Sequence, residues 1–118
     1  MNTFLPTIEH VKEDDMQVVV QIAVPKDLKI FEGHFRNLPV VPGFIIQEWV
    51  RRFAKQYCGK TEAIRTMKKV KFHNMLLPGM KAHIVLSLAH TGDRIEYSVE
   101  SNQKDELIKF ATGRILYA

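Results

Sequence analysis

At 118 residues, with 46% hydrophobic and 25% charged side chains, the chain has the size and balance of one globular domain (residues 1–118) that can bury a core without disulfides or a structural metal. That balance excludes a disordered tail, a collagenous chain and a disulfide scaffold, and no apolar run approaches the roughly 20 residues of a membrane span. The net charge of +4, from 17 Lys+Arg against 13 Asp+Glu, suits an acidic partner without choosing among nucleic acid, an acidic membrane surface and an acidic protein.

The first residues carry no basic stretch followed by an apolar one, so no secretory signal is expected. The single cysteine, Cys58, cannot form an internal bridge, which points to the reducing cytoplasm. Residues 16–24 are the first periodic segment: Val18, Val20, Ile22 and Val24 alternate with Val19, Gln21 and Ala23, a period of two that predicts a strand ended by Pro25. A shorter pattern over residues 4–11 supplies a hairpin partner across the polar residues 12–15.

Over residues 42–58 the period becomes helical. Ile45, Ile46, Trp49, Val50, Phe53, Ala54 and Tyr57 share one face, and Gln47, Glu48, Arg51, Arg52 and Lys55 the other. Pro42 suits the first turn and Gly59 the C-terminal stop. Alternation then returns in four further strand candidates. Residues 64–76 carry Val70, Phe72 and Leu76 on one face, and Pro78-Gly79 marks a turn. Residues 82–88 follow, then Ile95, Tyr97 and Val99 after the turn at Thr91-Gly92-Asp93, and residues 107–117 close the chain. One long helix followed by a run of antiparallel strands predicts an α+β fold with a sheet wrapped on a single helix.

Chemistry concentrates in the connection that precedes the helix, residues 31–43, which holds Gly33, His34, Pro39, Pro42 and Gly43. Loops held by a rigid scaffold are favoured places for sites. The first amides of the helix, Gly43 and Phe44 among them, have no intrahelical acceptor and carry the positive end of its dipole. A carbonyl oxygen seated there is polarised, as an oxyanion hole requires.

Gly33-His34-Phe35, then Pro39-Val40-Val41-Pro42-Gly43, then Glu48, resembles the signature of the 3-hydroxyacyl-[acyl-carrier-protein] dehydratases of the hotdog fold. His34 and Glu48 keep that family's spacing of fourteen residues between its His and the acidic residue on the central helix. The likeness continues through Val70-Lys71-Phe72 and Leu77-Pro78-Gly79. Glu48-Trp49 looks more like a small dehydratase-like subgroup tied to aryl polyene and other specialised lipid synthesis. Two departures accompany it: Arg36 stands where many members have Pro, and the Leu-Pro-His-Arg-type segment of the housekeeping enzymes is missing.

The resemblance implies a role for each residue. His34 is the general base that takes a proton from the carbon next to the thioester carbonyl, and Glu48 of a second subunit protonates or positions the departing 3-hydroxyl. The Gly43 amide holds the thioester oxygen, and the Val40 carbonyl fixes the His34 tautomer. Phe35, Phe44, Ile45 and Phe72 line the acyl chain. The product is the trans-2-enoyl thioester, the substrate arrives on acyl carrier protein, and no metal or organic cofactor is required. An unperturbed His titrates near pH 6.5, which suits a base, whereas Glu48 as an acid needs a dehydrated setting that raises its pKa; Phe44 is a candidate to supply it.

Geometry adds a condition. Glu48 sits roughly 145° from the centre of the apolar stripe of a regular helix. In a lone chain it points to water and pairs with Arg51 or Arg52 at i+3 and i+4, so a catalytic Glu48 requires a dimer.

Other features carry less. His10, His73, His83 and His90 show no ligand spacing, and Cys58 has no His at a helical neighbour position. Arg51, Arg52, Lys55, Lys60, Lys68, Lys69 and Lys71 cluster on and after the helix, where an acidic carrier protein could dock by electrostatic steering. The strand aromatics form no basic platform for nucleic acid, and neither nucleic acid nor membrane is an expected partner. The alternatives to a dehydratase are a hotdog thioesterase, against which the Gly33-His34-Phe35 loop argues, and a non-catalytic acyl-binding or scaffolding protein, against which the His34/Glu48 pair argues.

Overall fold

The computed structural model describes residues 4–27 and 40–118. Six strands form one antiparallel sheet: β1 (Thr7–Glu13), β2 (Gln17–Ala23), β3 (Ile64–Phe72), β4 (Lys81–Leu88), β5 (Arg94–Gln103) and β6 (Glu106–Tyr117), in the spatial order β1-β2-β4-β5-β6-β3. One helix, α1 (Gly43–Cys58), lies between β2 and β3 in the chain. This is the expected α+β architecture.

The alternation read from the sequence sets the faces. Val18, Val20 and Ile22 of β2, Ala82, Ile84 and Leu86 of β4, and Ile95, Tyr97 and Val99 of β5 are buried, while the residues between them are more exposed. Cross-strand register stacks these sets directly, Val20 opposite Ile84 and Ile84 opposite Val99. Against this face α1 buries Ile46, Trp49, Val50, Phe53 and Ala54. Trp49 is 1% exposed, and its indole Nε1 donates to the Phe4 carbonyl at 2.8 Å, which satisfies the one polar atom of the largest core residue.

Pro42 is the N-cap of α1 in extended conformation, just outside the first turn, and Gly59 ends the helix in the left-handed region at φ 66°. The β1–β2 turn is held by Asp14, whose Oδ1 accepts from the amides of Met16 at 2.9 Å and Gln17 at 2.8 Å. No helix among the described residues is long and apolar enough to cross a membrane.

The strand expected over residues 64–76 is shorter than the pattern suggests. β3 stops at Phe72, and a bulge between Lys68 and Lys71, with Lys69 at φ 54°, breaks the alternation. Leu76 therefore does not share a strand face with Phe72. It leaves the sheet and buries itself to 1% exposure, and its carbonyl accepts the Val41 amide at 2.8 Å. That bond ties the entrance of α1 to the segment following β3.

Candidate functional site

The site is built around the start of α1. The first amides of a helix need acceptors, and among the described residues no side-chain cap supplies one and no acidic residue lies in the first turn to offset the positive end of the dipole. Val40 is half-buried just before Pro42, and Val41 is buried and anchored to Leu76. The backbone approaching Gly43 is thereby held at a fixed angle.

Gly43 itself is in contact with Phe72. A Cβ placed on Gly43 meets Phe72 Cζ at 2.5 Å and Cε1 and Cε2 at 2.9 Å, so the tip of the ring lies against the bare backbone. Phe72 pairs with Ala111 of β6, and alternation turns it inward while Lys71 faces outward. Phe44 is 70% exposed, Phe72 52% and Met75 57%, and these three make an apolar rim around the helix start. Phe44 and Phe72 were expected in the site from the sequence; Met75 was not, because the strand pattern it interrupts hides it. Ile45 is half-buried and packs on the core.

Glu48 projects from the far side of the helix. From residue 43 to residue 48 an α-helix turns through about 500°, a net angle of about 140°. On one chain, therefore, positions 43 and 48 lie on different sides of the helix, with the Gly43 N–H pointing along the axis and the Glu48 side chain out from it. Glu48 accepts from Arg51 Nε at 2.9 Å and Nη2 at 2.6 Å, and from Arg52 Nε at 3.0 Å. The Arg51 hydrogen bond above all holds its carboxyl below the ordinary range; burial opposes it, and Arg52 adds to the lowering. In the single chain Glu48 is a carboxylate, as its i+3 and i+4 neighbours led one to expect. His34 and Phe35 lie outside the described residues.

The basic residues do not form one patch. Arg51, Arg52 and Lys55 line a cleft of about 610 Å³ with Gln56 and Thr61. Lys69 and Lys71 line a separate trough of about 400 Å³ on the outer sheet face, with Lys109 and Arg114. Lys60 belongs to neither as a free cation. Its Nζ contacts Glu62 and the Gly92 carbonyl and lies 4.9 Å from the centre of the Tyr117 ring. It ties the exit of α1 to the β4–β5 turn and to the end of β6. Cys58 is half-buried, and burial, with Glu13 adding to it, pushes its thiol up to about 11, so it is no thiolate nucleophile at neutral pH.

Comparison with known proteins agrees with this geometry. A dehydratase homologue from Lactiplantibacillus plantarum, the 3-hydroxyacyl-[acyl-carrier-protein] dehydratase FabZ, is 31% identical over 84 residues, covering 60% of this chain and 57% of that one. The chain thus aligns with less than two-thirds of that relative's length. An uncharacterized protein from Erwinia carotovora subsp. atroseptica superposes with a TM-score of 0.83 at 26% identity, covering 97% of this chain and 96% of the other. The dehydratase heterocomplex ApeI:P from Xenorhabdus doucetiae gives a TM-score of 0.84 at 20% identity, covering 95% and 96%, and shares the fold. The ApeI-like family model, described as ApeI dehydratase, matches residues 10–114, a span from β1 to β6 that takes in the helix start and Glu48. The family match over nearly the whole chain, with the sheet packed against the one helix among the described residues, identifies it as a hotdog protein belonging to the ApeI-like dehydratase family.

Proposed function

We propose that the chain removes water from a 3-hydroxyacyl thioester carried on acyl carrier protein, giving the trans-2-enoyl thioester, in fatty acid or polyene synthesis. The observation that carries this reading is the uncapped start of α1 at Gly43, roofed by Phe72 and rimmed by exposed apolar side chains, in a chain of the dehydratase family. In this reading the Gly43 amide receives the thioester oxygen as negative charge builds on it. His34, fourteen residues before Glu48, takes the proton from the adjacent carbon, with the Val40 carbonyl fixing its tautomer. Phe35, Phe44, Ile45 and Phe72 contact the acyl chain.

Because Gly43 and Glu48 face apart on one helix, the reading also requires a second copy that presents its Glu48 to this chain's helix start. The lone cysteine supports a cytoplasmic setting.

The test is incubation with a 3-hydroxyacyl carrier protein, following loss of water against release of thiol by mass. Wild-type protein should lose water only, and His34→Ala should slow it by between about a hundredfold and about ten-thousandfold, the range of a general base. Thiol release instead of dehydration would assign a thioesterase. Full activity in His34→Ala would remove His34 from the mechanism.

A further inference from the structure

We propose that Arg51 and Arg52 are positioning residues, holding the Glu48 side chain as an oriented hydrogen-bond acceptor for the departing hydroxyl rather than as its proton donor. This rests on the dehydratase reading and deepens it.

The argument is one of lone pairs. An ionised carboxylate offers about four acceptor positions, two on each oxygen. Oε1 accepts from Arg51 Nη2 at 2.6 Å and from Arg52 Nε at 3.0 Å, and Oε2 accepts from Arg51 Nε at 2.9 Å. Oε1 is therefore full and Oε2 has one place left. Arg51 grips both oxygens with its planar fork, which fixes the plane of the carboxylate and so the direction of that remaining place. A proton in that place would sit on a carboxyl group already held by two guanidinium cations, which favour its ionised, accepting form.

The surroundings support the same state. The Arg51 hydrogen bond draws the carboxyl downward most strongly, burial opposes it, and Arg52 adds to the downward pull, which prevails. From other elements, Tyr117 of β6 lies near Arg51, and Lys60 and Glu62 line the neighbouring cleft with Arg51 and Lys55. Glu62 is itself tied to Lys60. As ordinary surface ion pairs these contacts contribute little to stability. Their consequence lies in which hydrogen-bonding role Glu48 can take.

The step balances without an acidic Glu48. The C–H bond next to the carbonyl breaks with its proton going to His34, and its electron pair becomes the new C=C bond. The C–O bond breaks, the His34 imidazolium returns that proton to the leaving oxygen, and water departs. Glu48 meanwhile accepts the hydroxyl's own hydrogen at Oε2 and keeps the leaving oxygen turned toward His34.

Steady-state dehydration of a 3-hydroxyacyl carrier protein, from about pH 5 to about pH 9, separates the possibilities. Four proteins are compared: wild type, Glu48→Ala, the pair Arg51→Met with Arg52→Met, and the pair Arg51→Lys with Arg52→Lys. Glu48→Ala should lose at least about a hundredfold in kcat, and wild-type kcat in that variant would overturn the site reading itself. The methionine pair should lose about tenfold or more in kcat with KM within about twofold. The lysine pair, restoring charge without the fork, should return only part of kcat. An inactive Glu48→Ala beside a methionine pair with unchanged kcat, or with only a raised KM, would overturn the positioning role and leave the dehydratase reading intact.

Carbon-13 NMR of labelled wild-type protein gives a readout independent of the arginine variants. The Glu48 carboxyl signal, assigned by its loss in Glu48→Gln, should titrate below the ordinary carboxylate range. Titration at or above it would overturn the proposal.

Discussion

The contact between Gly43 and Phe72 separates sterics from chemistry at a single residue. A methyl at position 43 meets ring atoms as close as 2.5 Å, but the ring tip belongs to a side chain that is 52% exposed and has room to swing outward. Alanine is also a better helix former than glycine. Gly43→Ala should therefore keep its melting temperature within about 3 °C of wild type. Moving Phe72 off the helix start and crowding the amide should nevertheless lower dehydration at least about tenfold. Thermal melting and steady-state rates on the same preparation check both. A collapse in melting temperature would show that Phe72 is fixed, not hinged. The sequence made Glu48's ion pairs legible, because i+3 and i+4 neighbours on a helix are set by local geometry alone. It could not show Phe72 over Gly43, which depends on where β6 places the end of β3.

Among the elements, the pairing of β5 with β6 is the most demanding. Tyr97 lies opposite Gly113, and a Cβ at 113 meets Tyr97 Oη at 2.5 Å, Cζ at 2.6 Å and Cε2 at 2.7 Å. Tyr97 is 4% exposed, so its ring has nowhere to go, in contrast to Phe72. Gly113→Ala should destabilise the protein by about 1–3 kcal/mol, the range of overpacked cores. The Tyr97 hydroxyl is buried, faces Gln47 of α1 and makes no hydrogen bond of good geometry among the described residues. Tyr97→Phe should therefore change stability by less than about 1 kcal/mol. Denaturant unfolding of the two variants measures the contrast.

Periodicity revealed α1 and the cores of β2, β4 and β5 because their buried residues repeat regularly at 3.6 or 2. It failed where register changes. The bulge at Lys68–Lys71 and the turn at Lys104-Asp105, with φ of 50° and 63°, carry none of the glycines that usually announce such backbone. Leu76 was misassigned for the same reason: a buried leucine four positions past the true strand end keeps the alternation going on paper.

At the scale of the molecule, the proposed site is divided by the helix itself. Gly43 and Glu48 diverge by about 140°, and the apolar rim of Phe44, Phe72 and Met75 is exposed on the single chain. Sedimentation equilibrium at micromolar concentration should return twice the chain mass, and substituting Phe44 with Asp should weaken that association. A strict monomer with full dehydratase activity would refute the divided site. The fold was readable at this scale because one long helix followed by a run of antiparallel strands leaves few arrangements. The partner surface was readable only as a requirement, since nothing in a linear pattern says which exposed apolar residues meet another chain.

The strand order also has a consequence for how the chain is made. Among the described residues β3 sits at the end of the sheet and pairs only with β6, yet β4 and β5 lie between them in the chain. At about 5–20 residues per second on the ribosome, β3 waits for its partner on the order of seconds with its backbone groups unpaired. An unpaired strand is a template for aggregation, and charged residues, lysine above all, are the usual protection. Lys68, Lys69 and Lys71, set around the bulge, put that protection on the strand that waits longest.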